Sequence, residues 1–329
     1  MRRRTVVLGG AASAMLAASG VRAQQPGPTY RVGVLTPVAG VAGAPYLSAL
    51  REQLGKHGFV DGRNLGIDVR VLGSFGSRAA AAAAQELIGR KPDAILSMGT
   101  TLTQGALAST STIPIVFTWV SDPLGSGLLK NLAKPDRNAT GTTNRNFELT
   151  AKRVELVRAL LPAAKRLAMA TNYFDPVLEQ AMTHAQRAAE QVGIELVRVE
   201  VGGSWAAGVE LSKKAGAQAM LALTPFRFFG LSFAEEDVVR QSIEQRFPVT
   251  FSNVETVEAG GLASYATRLT DDVRRATDLL ARVLAGEKPQ ELSVDQAARF
   301  ELAINLKTAR AIGLKIPQSL LVRADRVIE

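Results

Sequence analysis

The stretch Ala94-Ile95-Leu96-Ser97-Met98-Gly99-Thr100-Thr101-Leu102 decides how this chain folds. Ala94 to Met98 is a short, mainly apolar run behind Pro92, the length of a strand, and after Gly99 the residues from Leu102 to Ser109 read as a helix. A strand without polar alternation is covered on both faces, as in a parallel sheet between helical layers. Working backward, Arg31 to Leu35 reads as a first strand, Tyr46 to His57 as a helix, Leu65 to Leu72 as a second strand, and Gly76 to Gly89 as an alanine-rich helix. Working forward, Ile113 to Phe117 is a fourth strand, with Pro114 near its start, where a missing donor is tolerated.

The order then recurs. Arg166 to Ala170 reads as strand, Pro176 to Val192 as helix, Ile194 to Val201 as strand and Ala206 to Ala215 as helix; Ala219 to Leu223, a helix over Glu235 to Gln245 and Pro248 to Phe251 complete it. Corresponding strands lie about 125 to 135 residues apart, too long a period for a solenoid and the right one for two similar α/β lobes. The expected fold is therefore α/β, with two doubly wound parallel-sheet lobes. Beyond Phe251 come Glu258 to Tyr265, an amphipathic helix over Asp271 to Ala285, a linker at Gly286-Glu287-Lys288-Pro289 and a strand-like Phe300 to Ile304. This tail holds too few apolar residues for a core of its own. It is expected to return over the first lobe, so that the chain crosses between lobes near Asn138 to Thr143, near Gly261 to Tyr265 and again toward the C-terminus. Several such connections favour hinged closure over free tumbling. The expected organisation is a signal peptide over 1–23, a first lobe over 30–140, a second over 141–261, and a segment over 262–329 packing mainly on the first.

The signal reading rests on three features. Met1-Arg2-Arg3-Arg4 is basic, Val6 to Ala18 is apolar or small and too short to span a bilayer, and Val21-Arg22-Ala23 offers small residues at a cleavage site. Arg3-Arg4-Thr5-Val6-Val7 fits a twin-arginine signal as well as a Sec signal. Export to the periplasm with cleavage near Ala23 is expected. With no cysteine, a lipid-bearing thiol, disulfides, thiolate metal sites and cysteine nucleophiles are excluded. Loss of Arg2, Arg3, Arg4 and Arg22 with the signal reduces the net charge from +9 to +5, and the bases are scattered among acids. No basic stripe or nucleic-acid motif is present, so no nucleic-acid partner is expected.

Several segments resemble a known family. Gly58 to Leu65, Thr112 to Phe117, Ser121-Asp122-Pro123-Leu124-Gly125-Ser126-Gly127-Leu128, Asn138 to Gly141, Ala259 to Tyr265, Phe300 to Ala309 and Ile316 to Glu329 are similar, in order, to the ABC transporter substrate-binding family that includes tryptophan- and tyrosine-binding members. The resemblance covers essentially the whole chain after the signal. It implies a type I periplasmic binding fold with a multi-strand hinge. It also implies a monomeric receptor that binds a small organic ligand, an amino acid or aromatic carboxylate, between its lobes and delivers it to an inner-membrane ABC permease.

Candidate ligand-binding residues lie where strands end, since helix N-termini there present unpaired N–H groups. Thr100 and Thr101 could hold a carboxylate; the alternative is that one of them only caps its helix. Trp119 could stack on an aromatic ligand, at a position where the family more usually has a small residue; alternatively it packs within the lobe. Asp122, before Pro123 and Gly125, either faces ligand or holds a turn. In the second lobe Tyr173 and Phe226 follow strands and would form apolar walls, while Asn253 or Glu255 would meet a polar or cationic group such as an α-ammonium. Glu255 could instead be a solvated loop acid. His57 and His184 lie a lobe apart and form no metal pair, and no metal or cofactor is expected.

Two other functions compete. A receptor for a chemosensory or signalling partner would share every feature above. A Rossmann-like enzyme is disfavoured because Thr36 to Gly43 lacks the G-x-G-x-x-G spacing and no Walker loop, nucleophile elbow or catalytic His/Cys/Asp set occurs, so no enzymatic activity is expected.

Overall fold

The computed structural model describes residues 29–37, 40–72, 76–171, 178–201, 207–223 and 234–329. The signal-like segment lies outside them. The first lobe is built from β1 (Tyr30–Thr36), α1 (Gly40–Lys56), β2 (Leu65–Val71), α2 (Ser77–Ile88), β3 (Ala94–Met98), α3 (Thr100–Ser109), β4 (Ile115–Val120) and β5 (Ala139–Thr143). The second contains α4 (Thr150–Leu160), β6 (Arg166–Thr171), α5 (Leu178–Gln191), β7 (Glu195–Glu200), α6 (Ala207–Lys214), β8 (Ala219–Ala222), α7 (Ala234–Glu244), β9 (Val249–Phe251), α8 (Val254–Glu258) and β10 (Ala263–Ala266). The remainder forms α9 (Leu269–Leu284), β11 (Asp295–Gln296), β12 (Glu301–Asn305), α10 (Leu306–Ile312), α11 (Gln318–Arg323) and β13 (Arg326–Ile328).

The first sheet runs β11-β5-β4-β3-β1-β2 and is parallel throughout. Every residue of β3, β4 and β5 is buried, as expected for strands covered on both faces. One face carries α1 and α9, with Leu50, Leu54, Leu96, Val273 and Leu280 in a common core; the other carries α2 and α3 through Leu87, Leu102, Ile95 and Phe117. The second sheet runs β13-β12-β10-β9-β8-β6-β7. Its strands β6 to β10 pair in parallel, whereas β12 lies antiparallel to β10 and parallel to β13.

Strand order reverses between β1 and β3 in one lobe and between β6 and β8 in the other, the two switch points at which open α/β sheets present a crevice. The chain passes between lobes after β5, after β10 and after β11. Because the first two passages leave the carboxyl ends of β5 and β10, the carboxyl edges of both sheets face the boundary between lobes.

The closing segment divides between the lobes. α9 packs on the first sheet and β11 extends it, but β12, β13, α10 and α11 belong to the second lobe, where Leu302, Ile304, Ala309, Ile312 and Leu320 form a core with Leu156 and Leu262. Packing mainly on the first lobe was the expectation for 262–329; the described structure instead places everything from Glu301 onward on the second. The physical reason is the open edge of β10, which β12 covers.

The stretch from Asn138 to Thr143, expected as a crossing, contains the strand β5. Gly141 permits it: a Cβ there would lie 2.1 Å from the Phe117 carbonyl oxygen and 2.6 Å from the Phe117 ring.

Candidate ligand-binding site

On the first lobe the site begins where β3 meets α3. Gly99 is the N-cap residue with φ 101°, a left-handed conformation that suits glycine. Among the described residues no side-chain hydrogen bond caps this helix, from Thr100 or Thr101 included. Both are half-buried in its first turn, where backbone N–H groups lack intrahelical partners. Beneath them Thr103 donates its hydroxyl to the Gly99 carbonyl at 2.8 Å and contacts the Ser97 hydroxyl at 3.1 Å, which fixes the start of the helix.

Trp119, one residue before the end of β4, has φ 58°, and the β4–β5 register shifts between Phe117 and Val120. A bulky residue in that region costs about 1–3 kcal/mol, offset here by what the indole reaches. Its Nε1 donates to the Leu269 carbonyl at 3.1 Å and its ring meets Tyr46 edge-on, centroids 4.7 Å apart. Only 7% of Trp119 is exposed. The structure thus engages the indole between α1 and the first residue of α9. Asp122 holds a turn: its Oδ1 accepts from the Leu124 and Gly125 amides at 3.0 and 2.8 Å, and its carbonyl accepts the Ser126 hydroxyl.

On the second lobe Asn253 follows β9 and caps α8, its Oδ1 accepting from the Thr256 amide at 2.8 Å and the Thr256 hydroxyl at 2.6 Å. This fixes α8, whose second residue is Glu255. Glu255 Oε1 accepts from the amide of Thr270, in the first turn of α9, at 3.2 Å. A carboxylate on the second lobe thereby touches the positive end of a helix packed on the first. Glu255 Oε2 is buried and has no hydrogen-bond partner among the described residues. Burial pushes this carboxyl up to about 7, against the smaller opposing effects of the backbone donors and Arg268. Glu255 is therefore not a solvated loop acid. Tyr173 and Phe226 lie outside the described residues.

Three residues at the boundary were not singled out by the sequence. Asp272, 2% exposed, accepts from the Thr267 hydroxyl at 2.7 Å and pairs with Arg275 at 2.8 Å, and burial raises its carboxyl to about 6. Arg153 is fully buried beside the first crossing, and Asn146 joins that crossing to the Leu223 carbonyl. The helical period contained the signal for Arg153, which occupies the same face of α4 as Val157 and Leu160, a charged residue in an apolar stripe. Among the described residues no group of His, Cys, Asp and Glu could hold a metal ion, and no helix is long and apolar enough to cross a membrane.

Two α/β lobes joined by three crossings, with strand ends facing one another, have the type I periplasmic binding fold. The family model of ABC transporter substrate binding proteins matches residues 31–328, and the chain belongs to that family, whose members bind substrates and are not enzymes. Among solved structures, a conserved domain protein from Vibrio cholerae O1 biovar El Tor str. N16961 is 27% identical, with a TM-score of 0.81 over 91% of this chain and 99% of its own. An ABC domain from Streptococcus pneumonia in complex with L-Trp has a TM-score of 0.80 at 24% identity, over 91% of this chain and 100% of its own, a likeness of fold. The tyrosine-binding protein of Clostridioides difficile (strain R20291) is 25% identical over 270 residues, 82% of this chain and 76% of that protein.

Proposed function

We propose that this protein is an exported, monomeric receptor that captures a free α-amino acid between its lobes and delivers it to an inner-membrane ABC permease. The observation that carries the reading is Glu255: an enclosed carboxylate at the boundary between lobes, one oxygen on the α9 amide and the other without a partner among the described residues. A ligand ammonium supplies the charge and donors that oxygen lacks. Across the boundary the uncapped first turn of α3, with the Thr100 and Thr101 hydroxyls, suits the ligand carboxylate. Asn253 holds α8 in place for Glu255, and Tyr173 and Phe226 are assigned to the apolar walls, with Trp119 backing the first-lobe side. An aromatic side chain fits the printed ligands of the relatives, tyrosine in one and L-Trp in another. Export to the periplasm, with cleavage near Ala23, rests on the basic and apolar N-terminal sequence.

A thermal-shift screen with the twenty amino acids, tyramine, tryptamine and the matching aromatic acids tests this. L-tyrosine or L-tryptophan at about a hundred times its Kd should stabilise the protein by about 2.7 kcal/mol. The amines and acids, each lacking one of the two charged groups, should stabilise far less. Equal stabilisation by an aromatic acid without an ammonium group would remove Glu255 from the role.

A further inference from the structure

Arg153 is a buried cation that the ligand reading does not use. It is fully enclosed on α4, and no acid among the described residues pairs with it. Burial lowers its pKa to about 9, so the guanidinium stays charged at neutral pH. Its Nε donates to the Tyr265 carbonyl at 2.9 Å, its Nη1 to the Asn146 carbonyl at 2.8 Å and its Nη2 to Asn146 Oδ1. Asn146 in turn donates its Nδ2 to the Leu223 carbonyl at 3.3 Å, and the Ser252 hydroxyl donates to that same carbonyl at 2.8 Å. One planar group thus joins the first crossing, which holds Asn146, to β10, which leads into the second, and through Asn146 to the ends of β8 and β9. A leucine or methionine would fill the same place on the apolar face of α4 without desolvating a charge. What those residues lack is a rigid fork of donors able to hold two separate chain segments.

We propose that Arg153 is the positioning residue of the hinge, locking the first two inter-lobe connections to the second lobe so that bending is confined to their first-lobe ends. The backbone agrees. Arg145, immediately before the clamped Asn146, has φ 52°, and the Asn144 amide is already bonded to the Val120 carbonyl of the first lobe at 3.3 Å. The sharp turn of the first crossing therefore falls between its anchor on one lobe and its anchor on the other. In the second crossing the anchored Tyr265 is followed by Thr267, which bonds Asp272 of α9.

Hydrogen exchange read by mass spectrometry on the ligand-free full chain tests the assignment and needs no ligand, so its outcome is separate from that of the amino-acid reading. Arg153→Lys and Arg153→Met should speed exchange of segments 144–149 and 264–268 by about tenfold or more while β6 and β8 keep their protection. Asn146→Ala should loosen only the first crossing, because the bond from Arg153 Nε to Tyr265 remains; it carries the test if Arg153→Met does not fold. A purely structural role would give uniformly faster exchange across the second lobe, or a lowered melting temperature with both crossings unchanged. Either result overturns the proposal.

Discussion

If Glu255 receives the ligand ammonium, ligand binding is linked to protons over a defined pH range. In the free protein its carboxyl titrates at about 7, raised by burial. An ammonium group against Oε2 returns it toward an ordinary carboxylate value. At pH 6 the free protein is then about nine-tenths protonated at this site and the complex almost wholly ionised, so binding releases about 0.9 proton. At pH 8.5 the release falls to about zero, and affinity drops about tenfold between pH 8 and pH 6. The sign for folding is the opposite. A carboxyl raised in the folded state stabilises it below the unfolded value and loses that contribution as pH rises through about 7, so the ligand-free protein becomes less stable over that interval. Glu255→Gln removes the ionisation, and with it about 3 kcal/mol of destabilisation above pH 7. The same variant should bind the amino acid about ten- to a hundredfold more weakly at pH 8, through loss of a charged hydrogen bond. Calorimetry of L-tyrosine or L-tryptophan in buffers of differing ionisation enthalpy counts the protons directly. Asp272 titrates at about 6 because burial raises it against the lowering effect of Arg275, and its contribution persists in both proteins. Zero proton release at pH 6 with wild-type protein that binds ligand would remove Glu255 as the partner of the ammonium group.

Other consequences follow at separate places. Thr100→Val leaves the ligand carboxylate short of a hydroxyl donor and should cost about ten- to a hundredfold in affinity, with an unchanged circular dichroism spectrum; unaltered affinity would move the carboxylate elsewhere. Trp119→Phe deprives the Leu269 carbonyl of its indole donor, a loss of about 1 kcal/mol that should lower the melting temperature by about 2–4 °C. An unshifted melt would mean that this bond does not anchor α9. N-terminal sequencing of periplasmic protein should begin near Gln24, and an intact Met1 on a cytosolic protein would overturn the export reading.

Much of the fold was legible because the central strands are continuous apolar runs whose burial needs no help from elsewhere. β3, β6 and β8 fall close to where periodicity puts them. β5 was harder to read: Ala139-Thr140-Gly141-Thr142-Thr143 has no aliphatic β-branched residue, and its glycine is explained only by the approach of Phe117. Amphipathicity showed that α9 has a face to bury but could not say which lobe supplies the partner. For the same reason the return of β12 to the second lobe went unseen. At the site, the Asp122 turn was written in the local order Asp-Pro-Leu-Gly, whereas the engagement of Trp119 with Leu269 spans 150 residues. Glu255 was visible as a candidate, but its enclosure depends on α9 arriving from the other side of the hinge. Arg153 stood out only as a charge in the apolar stripe of α4; its role depends on acceptors distant in sequence, one of them on Tyr265.

The two lobes, joined by three crossings, are expected to close on a bound amino acid. Small-angle X-ray scattering of the mature protein, free and with saturating L-tyrosine or L-tryptophan, tests it most directly. The complex should have a smaller radius of gyration than the free protein, in proportion to occupancy measured by calorimetry on the same sample. A scattering profile unchanged at full occupancy would contradict it.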